Sequence, residues 1–410
     1  MLNTKFLKNK KLQATPLRGG WEGKRIEILD IYRGFAVFGI FVVNIVIMNS
    51  TFLNQDTFLE QFTGTLDLSV ERMLQLFFYT KFFPIFSLLF GLGIAMQALK
   101  LESKNISLWP FFARRMLFLL LFGLLHIILL WSGDVLHLYA LLGFLVIFLL
   151  KIPNKWLLIL SVFVLFFPYY DLIFVHISRF LQFNTEQFLA NYTGVDVNAI
   201  ISQGSYLKGI QLRLLEYLTN IPMLFGFLAP VAFSMVTLGI YLGEKRVFDD
   251  LKAFLIEIKL PIIAAALITN VYRIAFLFYL PEYQIYRDFR PFFIKTMVVS
   301  DVVMGLFYLW VVGMIWYFTS LKNVLIPLKY VGKMALTNYI LQSVIGLFLF
   351  SSVGFGMYER FSPSETFGIA VVVFAFQIIF SRIWLNYFRF GPLEWLWRCL
   401  TYKKYIPIKI

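Results

Sequence analysis

Apolar runs of about twenty residues recur along the whole chain, and this repetition constrains the fold more than any other feature. A helix rises about 1.5 Å per residue, so ~20 apolar residues cross the ~30 Å hydrocarbon core of a bilayer. Ten such runs occur, at 29–48, 74–98, 110–131, 135–150, 156–176, 222–243, 254–279, 296–318, 334–352 and 366–385. With 60% hydrophobic and only 15% charged residues, the chain cannot cover a soluble surface, where about 25% charge is usual. The expected fold is all-α: a polytopic membrane helix bundle of about ten transmembrane helices. The run at 135–150 is short, and it is expected to tilt or to sit partly re-entrant.

Charge sets the direction. The net charge of +14 would suggest nucleic acid in a soluble protein. Here its distribution matters more, and no nucleic-acid partner is expected. If the N-terminus is cytoplasmic, the segments 1–33, 99–115, 151–155, 244–259, 319–333 and 382–410 are inside. They carry roughly three-quarters of the 37 Lys and Arg, as the positive-inside rule requires. The acids run the other way. Both termini are therefore expected inside. The basic N-terminal segment is long and polar, without a clear small-residue cleavage site, so the first apolar run reads as a retained helix. The organisation expected is a basic N-terminal segment (1–28), a five-helix half (29–176), an extracytoplasmic loop (177–221), a second five-helix half (222–400) and a tail (401–410). Within the loop, GSYLKGIQLRLLEYL has apolar residues at helical spacing and is expected to lie on the membrane surface. KFFPIFSLLFGLGIAM (81–96) and FLAPVAFSMVTLGIYL (227–242) share Pro, Phe-Ser and Leu-Gly-Ile in similar order. Chance likeness between Phe- and Leu-rich helices explains that much.

One cysteine, Cys399, excludes an intrachain disulfide and a CxxC site, and three histidines argue against a His-rich metal site. No metal is expected. No P-loop, GxSxG, HExxH or dinucleotide fingerprint occurs.

Polar residues inside apolar spans are costly and call for a reason. Asp30 and Arg33 open the first span three residues apart, on one helix face. They form either an anchoring ion pair or part of an anion site. Asn44 lies about 16 Å further along that helix, as an interhelical hydrogen-bonding group or a lining residue. The most informative stretch runs from Gly123 through His126, Trp131-Ser132-Gly133-Asp134 and His137 to Tyr139. Two spans meet there at a very short turn. Asp134 suits an N-cap. His126, about two turns below, is either a structural hydrogen-bonding group or a general base. His137 lies nearer water. Lys81, Asn270, Arg273 and Asp301 fall in the outer halves of their spans. With His126 and Asp134 they could line one outward-facing polar cavity, or each could snorkel or pair at the interface. At the inner face Arg114, Arg115, Lys333, Arg382 and Arg389 meet lipid phosphates or the phosphates of a donor such as acyl-CoA.

Arg25-Ile-Glu-Ile-Leu-Asp30-Ile-Tyr-Arg33-Gly34, the Lys81–Gly93 stretch, His126…Trp131-Ser-Gly-Asp134…Tyr139, Gly332-Lys-Met-Ala-Leu-Thr-Asn338-Tyr-Ile-Leu-Gln342-Ser343 and Gly391-Pro-Leu-Glu394-Trp-Leu-Trp397-Arg398 resemble the YeiB-type family. These are bacterial membrane proteins with a C-terminal domain of unknown function 418. The resemblance covers nearly the whole chain and implies a multi-pass protein of the bacterial plasma membrane. The opening LDxxRG is also similar to that of transmembrane acyltransferases of the acyltransferase-3 and heparan-α-glucosaminide N-acetyltransferase types. The first type has a catalytic His where this chain has Asn44. The second has Asn there and a reactive His in the following loop, where this chain has none.

The leading expectation is acyl transfer. A donor, with acyl-CoA as one possibility, would bind near Arg25, Arg33 and Arg114/Arg115. His126 would act as general base, oriented by Asp134 or Asp301. A transporter or transport-associated protein is the alternative, and a non-catalytic scaffold the third reading. A cytosol-open tunnel ending at His126 would favour the enzyme. Broken helices with a pseudo-twofold repeat would favour the transporter. Membrane lipids and a small molecule are the expected partners, and a homo-oligomer is allowed.

Overall fold

The computed structural model describes residues 26–410. They form helices throughout: α1 (Glu27–Asn49), α2 (Thr65–Phe77), α3 (Phe82–Glu102), α4 (Leu108–Leu129), α5 (Leu136–Leu149), α6 (Asn154–Phe166), α7 (Tyr170–Phe180), α8 (Gly194–Gln203), α9 (Tyr206–Thr219), α10 (Ala229–Glu244), α11 (Lys259–Phe278), α12 (Arg290–Phe318), α13 (Lys322–Lys333), α14 (Ala335–Phe350), α15 (Pro363–Tyr387) and α16 (Pro392–Tyr402). Among the described residues there is no strand, only an isolated antiparallel bridge between Phe388 and Lys409.

Seven helical segments are long and apolar enough to cross a membrane, and nine if each of two sharply bent pairs counts as one span. α5 is apolar too but shorter, about 21 Å long at its 14 residues. Each apolar run of the sequence has helix within it, but not every run is a single straight helix. The run 156–176 is not one straight span. It breaks between α6 and α7, which meet at 78°. Pro168 causes the break, because it lacks an N–H and drives the preceding residue out of the helical region. Phe167 accordingly has φ −64 and ψ 121. The segment 319–333 is not a plain loop either. It forms the amphipathic α13, set at 81° to α14.

Charge-poor faces remain exposed where lipid would lie. On α11, Leu260, Leu267, Ile268 and Val271 all point outward. α15 does the same with Val372, Phe376, Ile379 and Ile383. The centre is built on α1, α3, α10 and α13. Gly34 of α1 and Gly332 of α13 let two backbones touch: a Cβ on Gly332 would lie 1.8 Å from the Asp30 carbonyl oxygen, and one on Gly34 would lie 2.0 Å from that of Leu328. Small residues at such crossings are the usual device of membrane helix pairs.

The two ends of the bundle differ. At the turn end, the α4–α5 turn is covered by α8 and α9 and by the segment 351–362. α9 does not lie free on a membrane surface, as its amphipathic pattern suggested. It packs on the protein, burying Leu212, Arg213 and Glu216. At the tail end, α16 lies against α4 and α14. Its Glu394 accepts hydrogen bonds from the Leu336 and Thr337 backbone N–H groups at 2.7 and 3.1 Å, and from the Thr337 hydroxyl at 2.6 Å. The tail thereby caps the N-terminus of α14, satisfying backbone donors that no helix can satisfy for itself.

Candidate functional site

The α4–α5 turn brings three titratable side chains together. His126 Nδ1 lies 2.8 Å from Asp134 Oδ2, and His137 Nδ1 lies 2.8 Å from Asp134 Oδ1. The His137 backbone N–H also donates to Oδ1, at 2.9 Å. Asp134 therefore caps α5 and binds both imidazoles at once. All three residues are 2% exposed. Gly123 makes the arrangement possible, since a Cβ there would sit 2.4 Å from the His137 nitrogen and 2.9 Å from Asp134 Oδ1.

An ionised carboxylate only accepts hydrogen bonds. Each histidine must then carry a proton on Nδ1, and in a neutral ring this leaves Nε2 as the acceptor. The Tyr217 hydroxyl, on α9, donates to His137 Nε2 at 3.1 Å. Among the described residues nothing bonds His126 Nε2, which is buried. Its ring lies 5.3 Å from that of Tyr339 on α14. One imidazole is tied at both nitrogens, and the other is tied at Nδ1 only, with its Nε2 buried.

His137 reads in the sequence as the less interesting histidine, nearer water, and the structure corrects this by burying it. Its signal was the spacing of three from Asp134. Tyr217 and Glu216 carried no such signal, because they arrive from a segment distant in sequence. The Ser132 hydroxyl, in the same turn, donates to Glu216 Oε2 at 2.9 Å.

The other residues expected in the outer halves of their spans form a separate cluster. Asp301 Oδ1 lies 2.9 Å from Lys81 Nζ and 3.0 Å from Arg273 Nε, and Thr80 donates to Oδ2. Lys81 also donates to the Gln75 and Tyr79 carbonyls at 3.0 and 2.7 Å. Arg273 donates to Asn270 Oδ1 at 2.9 Å and to the Leu76 carbonyl. Asp301 therefore does not orient His126: two buried cations claim it, as low-dielectric surroundings demand. The expected single polar cavity divides accordingly. Lys81, Asn270, Arg273 and Asp301 bind one another around the α2–α3 break. Asn44 is half-buried, and no side-chain hydrogen bond from it is formed among the described residues. The cavity at the turn end is lined by Thr51, Leu130, Trp131, Arg213, Glu216 and Ser343 among others, and by none of the residues expected there.

At the tail end, Arg33 pairs with Asp30 at 3.2 Å. Arg115 stacks on Trp397, its guanidinium carbon 3.7 Å from the ring centroid, and it feels the charges of Arg33 and Arg398. Arg33, Arg115 and Arg398 thus share one neighbourhood. Arg114 turns to the tail instead, donating to the Thr401 carbonyl at 3.1 Å. Arg25 lies outside the described residues. Among the described residues, no group of His, Cys, Asp and Glu could hold a metal ion.

Comparison with known proteins places this arrangement in a family. The family described as "Protein of unknown function (DUF418)" matches residues 242–404. The uncharacterized protein YxaH of Bacillus subtilis is 31% identical, over 94% of this chain and 96% of its own length. The chain belongs to the YeiB-type DUF418 family. The uncharacterized protein YeiB of Escherichia coli is 27% identical over 91% of this chain and 95% of its own length. An uncharacterized 39.9 kDa protein encoded in an amylase 3′ region of Bacillus acidopullulyticus is 26% identical, over 94% and 96%. No solved structure matches. In this DUF418 protein the family region supplies Asp301, Arg273, Tyr339 and Glu394. The His126–Asp134–His137 turn precedes it in the sequence.

Proposed function

We propose that this DUF418 protein is a membrane-embedded acyltransferase whose general base is His126. The observation that carries the reading is the buried His126, held through Nδ1 by Asp134 at 2.8 Å with Nε2 unbonded. That is the state a general base needs before it accepts a proton. His126 would take a proton from an acceptor hydroxyl or amine. The acceptor heteroatom would attack a thioester carbonyl, the carbon–sulfur bond would break, and the departing thiolate would take the proton from His126. The donor's phosphates would lie near Arg33 and Arg115, whose planar guanidinium groups suit phosphate. Arg115 and His126 share α4 and are about 16 Å apart along its axis, a distance that an extended thioester arm spans.

In this reading both termini are cytoplasmic, the turn end faces outward, and the protein resides in the bacterial plasma membrane. The two helix pairs bent by 78° and 81° favour a second reading, transport, since broken helices frame many transporter sites. The purified protein, supplied with an acyl-CoA and membrane lipids, separates the two. Acyl transfer predicts acceptor-dependent release of free thiol, while a transporter releases none.

A further inference from the structure

The cavity at the turn end has room for about five water-sized groups, at about 70 Å³ on a scale where one water needs ~10–15 Å³. That fits a headgroup and not an acyl chain. Its walls are mainly apolar, from Leu130, Trp131 and their neighbours, but three polar side chains join them. Glu216 and Arg213 are only 8% and 9% exposed. Among the described residues, Glu216 Oε1, Arg213 Nη2 and Ser343 Oγ are buried without a hydrogen-bond partner. Native interiors rarely leave such atoms unsatisfied.

Arg213 and Glu216 share one face of α9, but they do not pair. Arg213 Nε donates to the Ile128 carbonyl at 3.2 Å, and its guanidinium lies over the Tyr206 ring at 5.1 Å. Glu216 Oε2 accepts from Ser132. The other polar group turned toward Glu216 is the Thr51 hydroxyl, which is engaged with the Tyr358 hydroxyl at 3.1 Å. Each charge is held by its own anchor, and one atom of each is left for something else. Their backbone positions differ by about 4.5 Å along the helix axis. The two side chains stand one helical turn apart and do not pair, so a ligand that satisfies both needs an N–H cation and an anion set apart by several bonds. An ammonium joined to a phosphate through two carbons and an ester oxygen meets this. An α-amino acid, with both charges on one carbon, is shorter.

We infer that this cavity binds an ammonium–phosphate zwitterion of the phosphoethanolamine type, with the ammonium on Glu216 and the phosphate on Arg213. The zwitterion is either a lipid headgroup or a soluble phosphodiester. The apolar wall covers its two carbons. The site stands on α9 and its cavity, and only the naming of the amine as an acyl acceptor would rest on the acyl-transfer reading.

The test uses the full chain in nanodiscs of phosphatidylglycerol, titrated calorimetrically with glycerophosphoethanolamine and with glycerophosphocholine. The trimethylated head cannot donate to Glu216, so it should bind at least about tenfold more weakly. Glu216→Gln, which keeps a group for Ser132, should stay folded at the pH of the titration and lose at least about tenfold in affinity for glycerophosphoethanolamine. In nanodiscs containing phosphatidylethanolamine, native mass spectrometry reads the source. Lipid retained by the unaltered chain and lost by Glu216→Gln marks a headgroup site. Binding of the soluble probe alone marks a soluble ligand. If Glu216→Gln does not fold, the contrast between the two probes on the unaltered chain decides. Equal binding of both probes, unchanged binding by a folded Glu216→Gln, or neither probe bound and no lipid retained would overturn the inference. None of these readouts depends on acyl transfer, so its failure and this one are separable.

Discussion

His126 and His137 hold the two oxygens of one carboxylate, each at 2.8 Å, from two different helices. Asp134 thereby sets the tautomer of both rings. Asp134→Asn presents one donor where two donors already point, so one imidazole must turn or change tautomer. We expect a loss of about 1–3 kcal/mol in stability, the usual cost of a buried unsatisfied group. We also expect at least about a hundredfold loss in turnover. Chemical unfolding and a thiol-release assay read the two separately. An Asn variant with native turnover would show that the ring orientation is not used in catalysis.

Arg33 tests the donor end. Its pairing with Asp30 at 3.2 Å would survive replacement by Lys, but the planar bidentate fork would not. Arg33→Lys should express normally and raise the KM for the acyl donor. An unchanged KM at normal expression would reduce Arg33 to a charge that orients the protein.

Glu216 makes stability depend on pH. Burial pushes its carboxyl from 4.5 up to about 7. The groups facing it are Arg213 on α9, Ser132 in the turn and Thr51 beyond the end of α1, with Tyr358 and Glu359 behind Thr51. Between these two pKa values the folded state binds a proton that the unfolded state does not. Stability from this group is therefore gained as pH falls from about 7 toward 4.5, and lost as it rises. The difference in unfolding free energy between the unaltered chain and Glu216→Gln should shift by about 2–4 kcal/mol across that window. Parallel pH profiles would show that Glu216 does not titrate there.

The helical membrane bundle was legible in the sequence because spans must be apolar over a fixed length, and each run has helix within it. The breaks were less legible. Pro168 lies within an unbroken hydropathy signal, so hydropathy alone concealed the bend that it forces. At the site, the turn made an Asp134–His126 contact foreseeable. The capping of α5 by Asp134 was foreseeable as well, but that the same carboxylate would hold a second ring was not, since it depends on the side-chain directions at the helix start. Asp301 was assigned by depth alone, and depth could not tell that Lys81 and Arg273 would claim it. Glu216 and Tyr217 reach the turn only through a fold of the intervening chain. The capping of α14 by Glu394 likewise depends on where the tail returns.

The most direct test compares His126→Gln with His137→Gln. Both remove a ring from the same carboxylate and both leave a hydrogen-bonding amide, so a structural role predicts equal effects. The general-base account predicts unequal ones, because His137 Nε2 is occupied by Tyr217 at 3.1 Å whereas His126 Nε2 has no hydrogen-bond partner among the described residues. Turnover, with melting temperature measured on the same samples, should fall at least about a hundredfold for His126→Gln and less than about tenfold for His137→Gln. Equal losses, or a His126→Gln variant with native turnover, would contradict the account.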